Sequence, residues 1–169
     1  ADHARMLLGH PGFTLANPAV TIGPQDAPVR LTAATLDGAM TADGLAGKIG
    51  GAGGQIGTVP LIVEQGAGDW RFANGALSLK AAMTVRDSQA SARFNPLNVP
   101  DFALSLKDGR IAANGTLTAP RNGATVATTD IVHDLGDGKG HADLDVANLA
   151  FNNALQPEDV TPLALGVVA

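Results

Sequence analysis

The chain has 169 residues, no cysteine, and a net charge of −5 from 16 acidic and 11 basic residues. This balance repels nucleic acid and anionic membrane surfaces, which excludes nucleic acid as a partner, and the missing cysteines exclude a disulfide framework or a thiolate zinc site. Apolar residues make up 45 %, yet aromatics only 4 % and charges only 16 %, so one domain of this length builds its apolar surface from Ala, Leu and Val rather than from rings.

The chain opens on Ala1-Asp2-His3-Ala4-Arg5, without Met and without a long apolar run, and stops inside the strand-like Leu163 to Ala169. These ends predict one β-domain over 1–169 that is a fragment of a larger protein. No apolar stretch reaches the length that spans a bilayer as a helix.

Strands follow in order. Val29, Leu31 and Ala33 alternate with Arg30 and Thr32. The Gly-rich stretch Gly44 to Gly57 fits neither the Walker nor the dinucleotide pattern, because Gly47-Lys48 is followed by Ile49 and Ile56 stands where a glycine is required. It reads as a flexible or bulged β connection. Val59, Leu61 and Val63 form a short strong run, and Trp70 and Phe72 flank Arg71. From Ala76 to Arg86, Leu77, Leu79, Ala81, Met83 and Val85 point one way, and Ser78, Lys80, Ala82, Thr84 and Arg86 the other. Phe102, Leu104 and Leu106 repeat the pattern. Ile111 and Ala113, then Leu117, and later Leu144 and Val146 continue it.

Seven Asn-Gly or Asp-Gly dipeptides punctuate these runs: Asp37-Gly38, Asp43-Gly44, Asn74-Gly75, Asp108-Gly109, Asn114-Gly115, Asn122-Gly123 and Asp137-Gly138. Each tolerates the positive φ of a tight turn and predicts a hairpin. One helical turn is expected at Gln156-Pro157-Glu158-Asp159, limited by Pro162. The fold class is all-β, an antiparallel meander whose strands each have one dry and one wet face. No amphipathic helix is available to cover the dry faces, so a sheet curled on itself, a barrel or a sandwich must do so.

Candidate chemistry is sparse. His3, His10, His133 and His141 hold no pair at helical zinc spacing. His133, on one strand face with Ile131 and Leu135, reads as a structural residue. Asp134, Asp137, Asp143 and Asp145 raise the idea of calcium, but no EF-hand loop or tandem calcium repeat is present, and solvated turn acids are the favoured reading. No serine sits in a nucleophile elbow. The sequence supports no enzyme, no metal and no cofactor.

Over Gly44 to Ala169, ordered strings carry a family likeness: Val59-Pro60-Leu61, Asp69-Trp70-Arg71-Phe72, Asn74-Gly75-Ala76-Leu77, Val85-Arg86-Asp87, Arg93-Phe94 with Pro96-Leu97, and Leu106-Lys107-Asp108-Gly109-Arg110-Ile111. Ile131-Val132-His133-Asp134-Leu135, Gly138-Lys139-Gly140, Leu149-Ala150-Phe151 and Leu155 to Leu163 complete it. In their order and spacing these strings resemble the YdbH-like branch of the AsmA-like and TamB-like envelope proteins of Gram-negative bacteria. Residues before Gly44 share only the style.

The resemblance implies intermembrane phospholipid transport in the periplasm, by a full-length protein anchored at the inner membrane. It implies an open repeating β-groove, taco-like, whose dry face holds acyl chains. The residues it assigns to that groove are Val59, Leu61, Val63, Trp70, Phe72, Leu77, Leu79, Met83, Val85, Phe102, Leu104, Leu106, Leu144 and Val146. The implied partners are phospholipid, the rest of the same polypeptide and a small outer-membrane lipoprotein; exposed edge strands add self-association of the fragment. The alternative is a closed, sandwich-like structural or adhesive domain without a lipid ligand.

Overall fold

The computed structural model describes residues 3–7, 11–22, 25, 28–56, 60–137, 139–146, 151 and 155–164, with side chains for all but 3–7, 22 and 56. His10, Gly57, Val59, Gly138 and the apolar run past Ala164 lie outside the described residues, and His3 is described in its backbone only.

Twelve strands form one antiparallel sheet. They are β1 (His3–Leu7), β2 (Gly12–Ala16), β3 (Ala19–Ile22), β4 (Val29–Thr32), β5 (Thr35–Thr41) and β6 (Gly44–Ile56), then β7 (Leu61–Ala73), β8 (Ala76–Asp87), β9 (Leu97–Lys107), β10 (Arg110–Thr118), β11 (Thr125–Asp134) and β12 (Gly140–Val146). β2 pairs with β5 and β3 with β4, while β5 and β4 lie end to end along β6. β2 with β3, and β4 with β5, therefore each make one long strand interrupted midway, and the whole is a meander. Its edges, β1 and β12, do not meet, so the sheet is not closed into a barrel.

The interruptions align. β2 and β3 break at Asn17, with φ 48, and β4 and β5 at Ala33-Ala34. At the same level β6 bulges around Gly51 (φ 60), and β7 around Gln65 (φ 56). β9 bulges between Val99 and Phe102, and β11 between Thr125 and Ala127. Each bulge adds one residue, bends its strand and increases the local twist. In a row they make a crease that crosses the sheet from β2 to β11. Pro100 explains the β9 bulge, because proline has no N–H for a central ladder. The carboxylate of Asp101 fills the gap, accepting the Thr116 N–H and hydroxyl, both at 2.7 Å. These two bonds hold the Asp101 carboxyl below its ordinary range.

Bulges also decide which side chains share a face. Side chains alternate along a strand, so one added residue reverses the alternation. In β7, Trp70 and Phe72 oppose Leu79 and Leu77, and beyond Gln65 Val63 opposes Val85. Without the added residue Leu61 and Val63 would point the other way. In β9, Phe102, Leu104 and Leu106 oppose Ala81, Leu79 and Leu77, and beyond the bulge Val99 and Leu97 oppose Met83 and Val85. The apolar face is thus continuous across the crease.

Glycines let neighbouring strands close in on that face. A Cβ on Gly47 would lie 1.8 Å from the Asp37 carbonyl oxygen, and one on Gly68 would lie 2.0 Å from that of Lys80. Real Cβ atoms do not approach other atoms this closely, so the neighbouring backbone leans over each glycine and the sheet curls toward its apolar side at both places. Above Gly38 the Phe13 and Trp70 rings meet, with centroids 6.1 Å apart, and the Trp70 indole N–H donates to Asp37 O at 2.8 Å.

Two of the seven expected turns are strand interior. Asp37-Gly38 lies within β5, and Asn114-Gly115 lies within β10, so Ile111 to Leu117 is one strand. The reason is room for a neighbour: a Cβ on Gly38 would meet the Phe13 and Trp70 rings at 2.6 and 2.7 Å, and one on Gly115 would meet Val99 Cγ1 at 2.6 Å. Asn74-Gly75 and Asp108-Gly109 are true tight turns, with both φ values positive. The stretch expected as a connection from Gly44 is instead the thirteen-residue central strand β6, bulged as anticipated.

Packing is concentrated at one place. Leu97, Ala119, Val126 and Leu155 form a buried cluster, joined by Phe94, Leu117, Ala124 and Val160. Leu155 and Val160 belong to a returning segment that carries helix α1 (Pro157–Val160) and a 3-10 turn (Pro162–Ala164). Pro157 starts the expected helical turn, and Asp159 accepts the Gln156 N–H at 2.9 Å. Elsewhere the face has no second layer among the described residues. The chain exposes 10783 Å², against about 7,700 Å² for a compact monomer of its mass.

The close approach at Gly68 makes a direct prediction. Gly68→Ala must push β7 and β8 apart, and urea unfolding will report a loss of about 1–3 kcal/mol. Ser78→Ala, on the opposite exposed face, is expected within about 0.5 kcal/mol of the parent.

Candidate functional site

The candidate site is the apolar face itself. All described members of the sequence-assigned set lie on it by register: Leu61, Val63, Trp70 and Phe72 on β7, Leu77, Leu79, Met83 and Val85 on β8, Phe102, Leu104 and Leu106 on β9. Leu144 and Val146 of edge strand β12 complete it through Thr129 and Ala127 of β11. Val59 is outside the described residues. Most of these side chains are half-buried and none is buried; Phe72, Leu144 and Val146 are 44, 60 and 63 % exposed.

The register adds residues that strand-by-strand reading did not assign. Leu36 and Met40 of β5 oppose Ile49 and Leu45 of β6. Phe13 and Leu15 of β2 extend the face outward. Leu97 and Val99 join it beyond the Pro100 bulge. The missed signal was a proline inside an alternating run, which demands a bulge and reverses the faces.

On the strands of this face the described ionisable groups are two, Asp87 and His133. His133 on β11 stands between Ile111 and Gly140, half-buried, and is no part of a metal cluster. The four aspartates weighed for calcium do not converge either. Asp134 caps its own turn, accepting Gly136 N–H at 2.7 Å; Asp137 accepts Lys139 N–H at 3.0 Å; Asp143 and Asp145 face outward on β12.

Asp87 ends β8 with its side chain wholly out of solvent. Arg93 Nε donates to it at 2.6 Å, Gln89 N–H at 3.0 Å and Arg93 N–H at 3.1 Å. The Arg93 side chain, then the Gln89 amide, hold its carboxyl down to about 2. This one acid ties the loop 88–96 over the strand ends and brings Phe94 to the buried cluster.

The opposite face carries the charge. Lys48 pairs with Asp69 at 3.1 Å, Arg71 with Asp43, and Arg86 with Glu64. A shallow depression of about 450 Å³ there is lined by Lys48, Asp69, Arg71, Ser78 and Lys80. Its pairs are exposed and bind one another. Among the described residues, neither face assembles a nucleophile, a base and an oxyanion pocket. What the arrangement can do is present hydrocarbon-binding surface on one side and stay wetted on the other.

An open, all-antiparallel sheet with an apolar face that the described residues cover only over β9–β11 fits a lipid-handling envelope protein, and the sequence agrees along nearly all its length. Residues 11–169 match the YdbH-like family, described as intermembrane phospholipid transport protein YdbH. The chain belongs to the YdbH-like family. The match begins at residue 11, so β2 to β5 belong to it as well, beyond the Gly44 boundary that the short strings mark. Membership ties the chain to phospholipid transport between membranes and so to the cell envelope. No curated protein and no solved structure matches it. No described helix of this YdbH-like chain is long and apolar enough to cross a membrane.

The Asp87 network predicts an acid limit. Its carboxyl lies below the ordinary 3.8 when folded, so the folded state binds fewer protons than the unfolded one. The stabilisation is complete above about pH 4 and is lost as pH falls toward about 2. Asp43, Asp101 and Asp159 shift in the same direction. Thermal unfolding of the parent will therefore fall steeply across this window, and Asp87→Asn will lower the neutral-pH midpoint while flattening the acid slope.

Proposed function

We propose that this chain is one segment of a bridge-like trough that carries phospholipid between the inner and outer membranes, acyl chains on the apolar face and headgroups toward its polar margins. The observation that supports this most is the continuous apolar face, kept on one side across the crease and, over β7 and β8, left without a second layer among the described residues. A face of this kind needs a hydrocarbon occupant. Each methylene transferred from water to such a surface gains about 0.8 kcal/mol, so long acyl chains are held without any specific ligand. The two ionisable groups on the strands of the face do not form a headgroup pocket, which suits a conduit that accepts several phospholipids.

The route follows the crease. Strands run across it, and each contributes apolar side chains on both sides: Val63 and Trp70 from β7, Val85 and Leu79 from β8, Val99 and Leu104 from β9. An acyl chain sliding from β5 toward β12 meets the same chemistry at every strand. In the whole protein this segment works in the periplasm, joined to the rest of an inner-membrane-anchored polypeptide, with an outer-membrane lipoprotein as a further partner.

Trp70 is the one tryptophan of the chain and lies on this face. Phospholipid brominated on its acyl chains is expected to quench Trp70 fluorescence, and phospholipid is expected to co-purify in detergent-free extracts. Leu79→Asp, Phe102→Asp and Leu104→Asp together should abolish both signals. A lipid-free, cooperatively folding monomer whose Trp70 is untouched by brominated lipid would replace this reading with a closed structural domain.

A further inference from the structure

The segment 155–164 has a position that transport along the crease does not explain. It lies on the apolar face, because Leu97, which it covers, points to that side. It covers only one side of the crease, the side where β9 and β11 begin and β10 ends. Four polar ties hold it there. Asn95 N–H donates to Val160 O at 2.8 Å and Asn95 Nδ2 to Glu158 O at 2.6 Å. The Thr161 hydroxyl donates to Arg93 O at 2.6 Å, and Arg121 pairs with Asp159 at 3.1 Å. Arg93 is itself fixed by Asp87. The result is a buried apolar cluster, with Ala119 at 0 % and Leu155 at 5 % exposure.

We propose that residues 155–164, latched to the loop 88–96, form a fixed constriction that closes one side of the trough over β9–β11 and confines a phospholipid's acyl chains to the other side, along Leu104, Leu106, Ile111 and Ile131. This rests on the trough reading and adds where in it the acyl chains pass. Over β7 and β8 both sides of the crease carry apolar side chains; past β9 one side is already filled by protein. Leu155 and Val160 stand there as hydrocarbon would, so the occupied half offers nothing for an acyl chain to gain. The ties to Asn95 and Arg93 make the segment a wall, since a chain that displaced it would have to break all four polar contacts as well as the packed cluster.

The test uses the full chain in a Trp70→Phe background with one reporter, Leu104→Trp on the open side or Leu117→Trp beneath the segment. Phospholipid brominated on its acyl chains should quench Leu104→Trp and leave Leu117→Trp unquenched. Adding Leu155→Ser and Val160→Ser should make Leu117→Trp quenchable. Equal quenching of the two reporters in the intact chain overturns the proposal. A second readout needs no substitution: hydrogen exchange at the Asn95 amide of the parent should be unchanged by lipid loading, and lost protection would mean that lipid displaces the segment, which also overturns it. If Trp70 of the parent and both reporters ignore brominated lipid, the trough reading itself fails and the constriction with it.

Discussion

A strand can turn a corner and keep its apolar side chains on the same face only by changing its alternation at the corner. That constraint organises this protein. Its long strands cross one crease, and the bulges at Gly51, Gln65, Pro100-Asp101 and Val126 sit on that line. The cost is local: Gln65 holds a left-handed backbone that a non-glycine residue adopts at about 1 kcal/mol or more. The return is global, because losing the added residue in β7 would turn Leu61 and Val63 to the charged side. Curl and continuity are then two results of one device, since a bulge both bends a strand and re-aims its side chains.

The composition makes sense against this. A closed sandwich fills its middle with rings and branched chains from two layers, whereas here a single layer needs small residues where its strands approach and apolar ones of middle size elsewhere. Gly47 and Gly68 let the curl tighten, and Gly38 lets the Phe13 and Trp70 rings lie down on β5. Phe13, Trp70, Phe72 and Phe102 thus lie on the floor of the face. The charged pairs Lys48–Asp69 and Arg71–Asp43 keep the other side in water but contribute little stability while exposed. What holds the sheet is its ladder and the half-burial of cross-strand apolar pairs such as Leu77 between Phe72 and Leu106.

Much of this was legible in the residues. Period two from Ala76 to Arg86 and from Phe102 to Leu106 marks the strands and both faces, and Asn74-Gly75 and Asp108-Gly109 mark hairpins because each needs positive φ. The dipeptide rule failed at Asp37-Gly38 and Asn114-Gly115, where glycine serves a neighbour's side chain instead of its own backbone. That is a tertiary demand, and no local window contains it. The crease was half legible: Pro100 announces a bulge, but Gln65 is an ordinary residue whose backbone is set by the strands on either side. Nor could spacing place Leu155 on Leu97, since the contact joins residues far apart in the chain.

The buried cluster and the open face then explain each other. A single curled layer cannot bury enough apolar surface from its own strands to be rigid everywhere, so part of the face must be covered by something. Over β9–β11 the chain supplies the cover itself, with Leu155, Val160 and Phe94 and a buried aspartate to fix the loop that carries them. Over β7 and β8 no described residue does so, and the family's cargo is a molecule made of the same material as the missing layer. Protein hydrocarbon where the path must be narrow and lipid hydrocarbon where it must be free are interchangeable solutions to one burial problem. On the proposed route, the boundary between them, near Val99 and Met83, is where a moving acyl chain would first meet a fixed one.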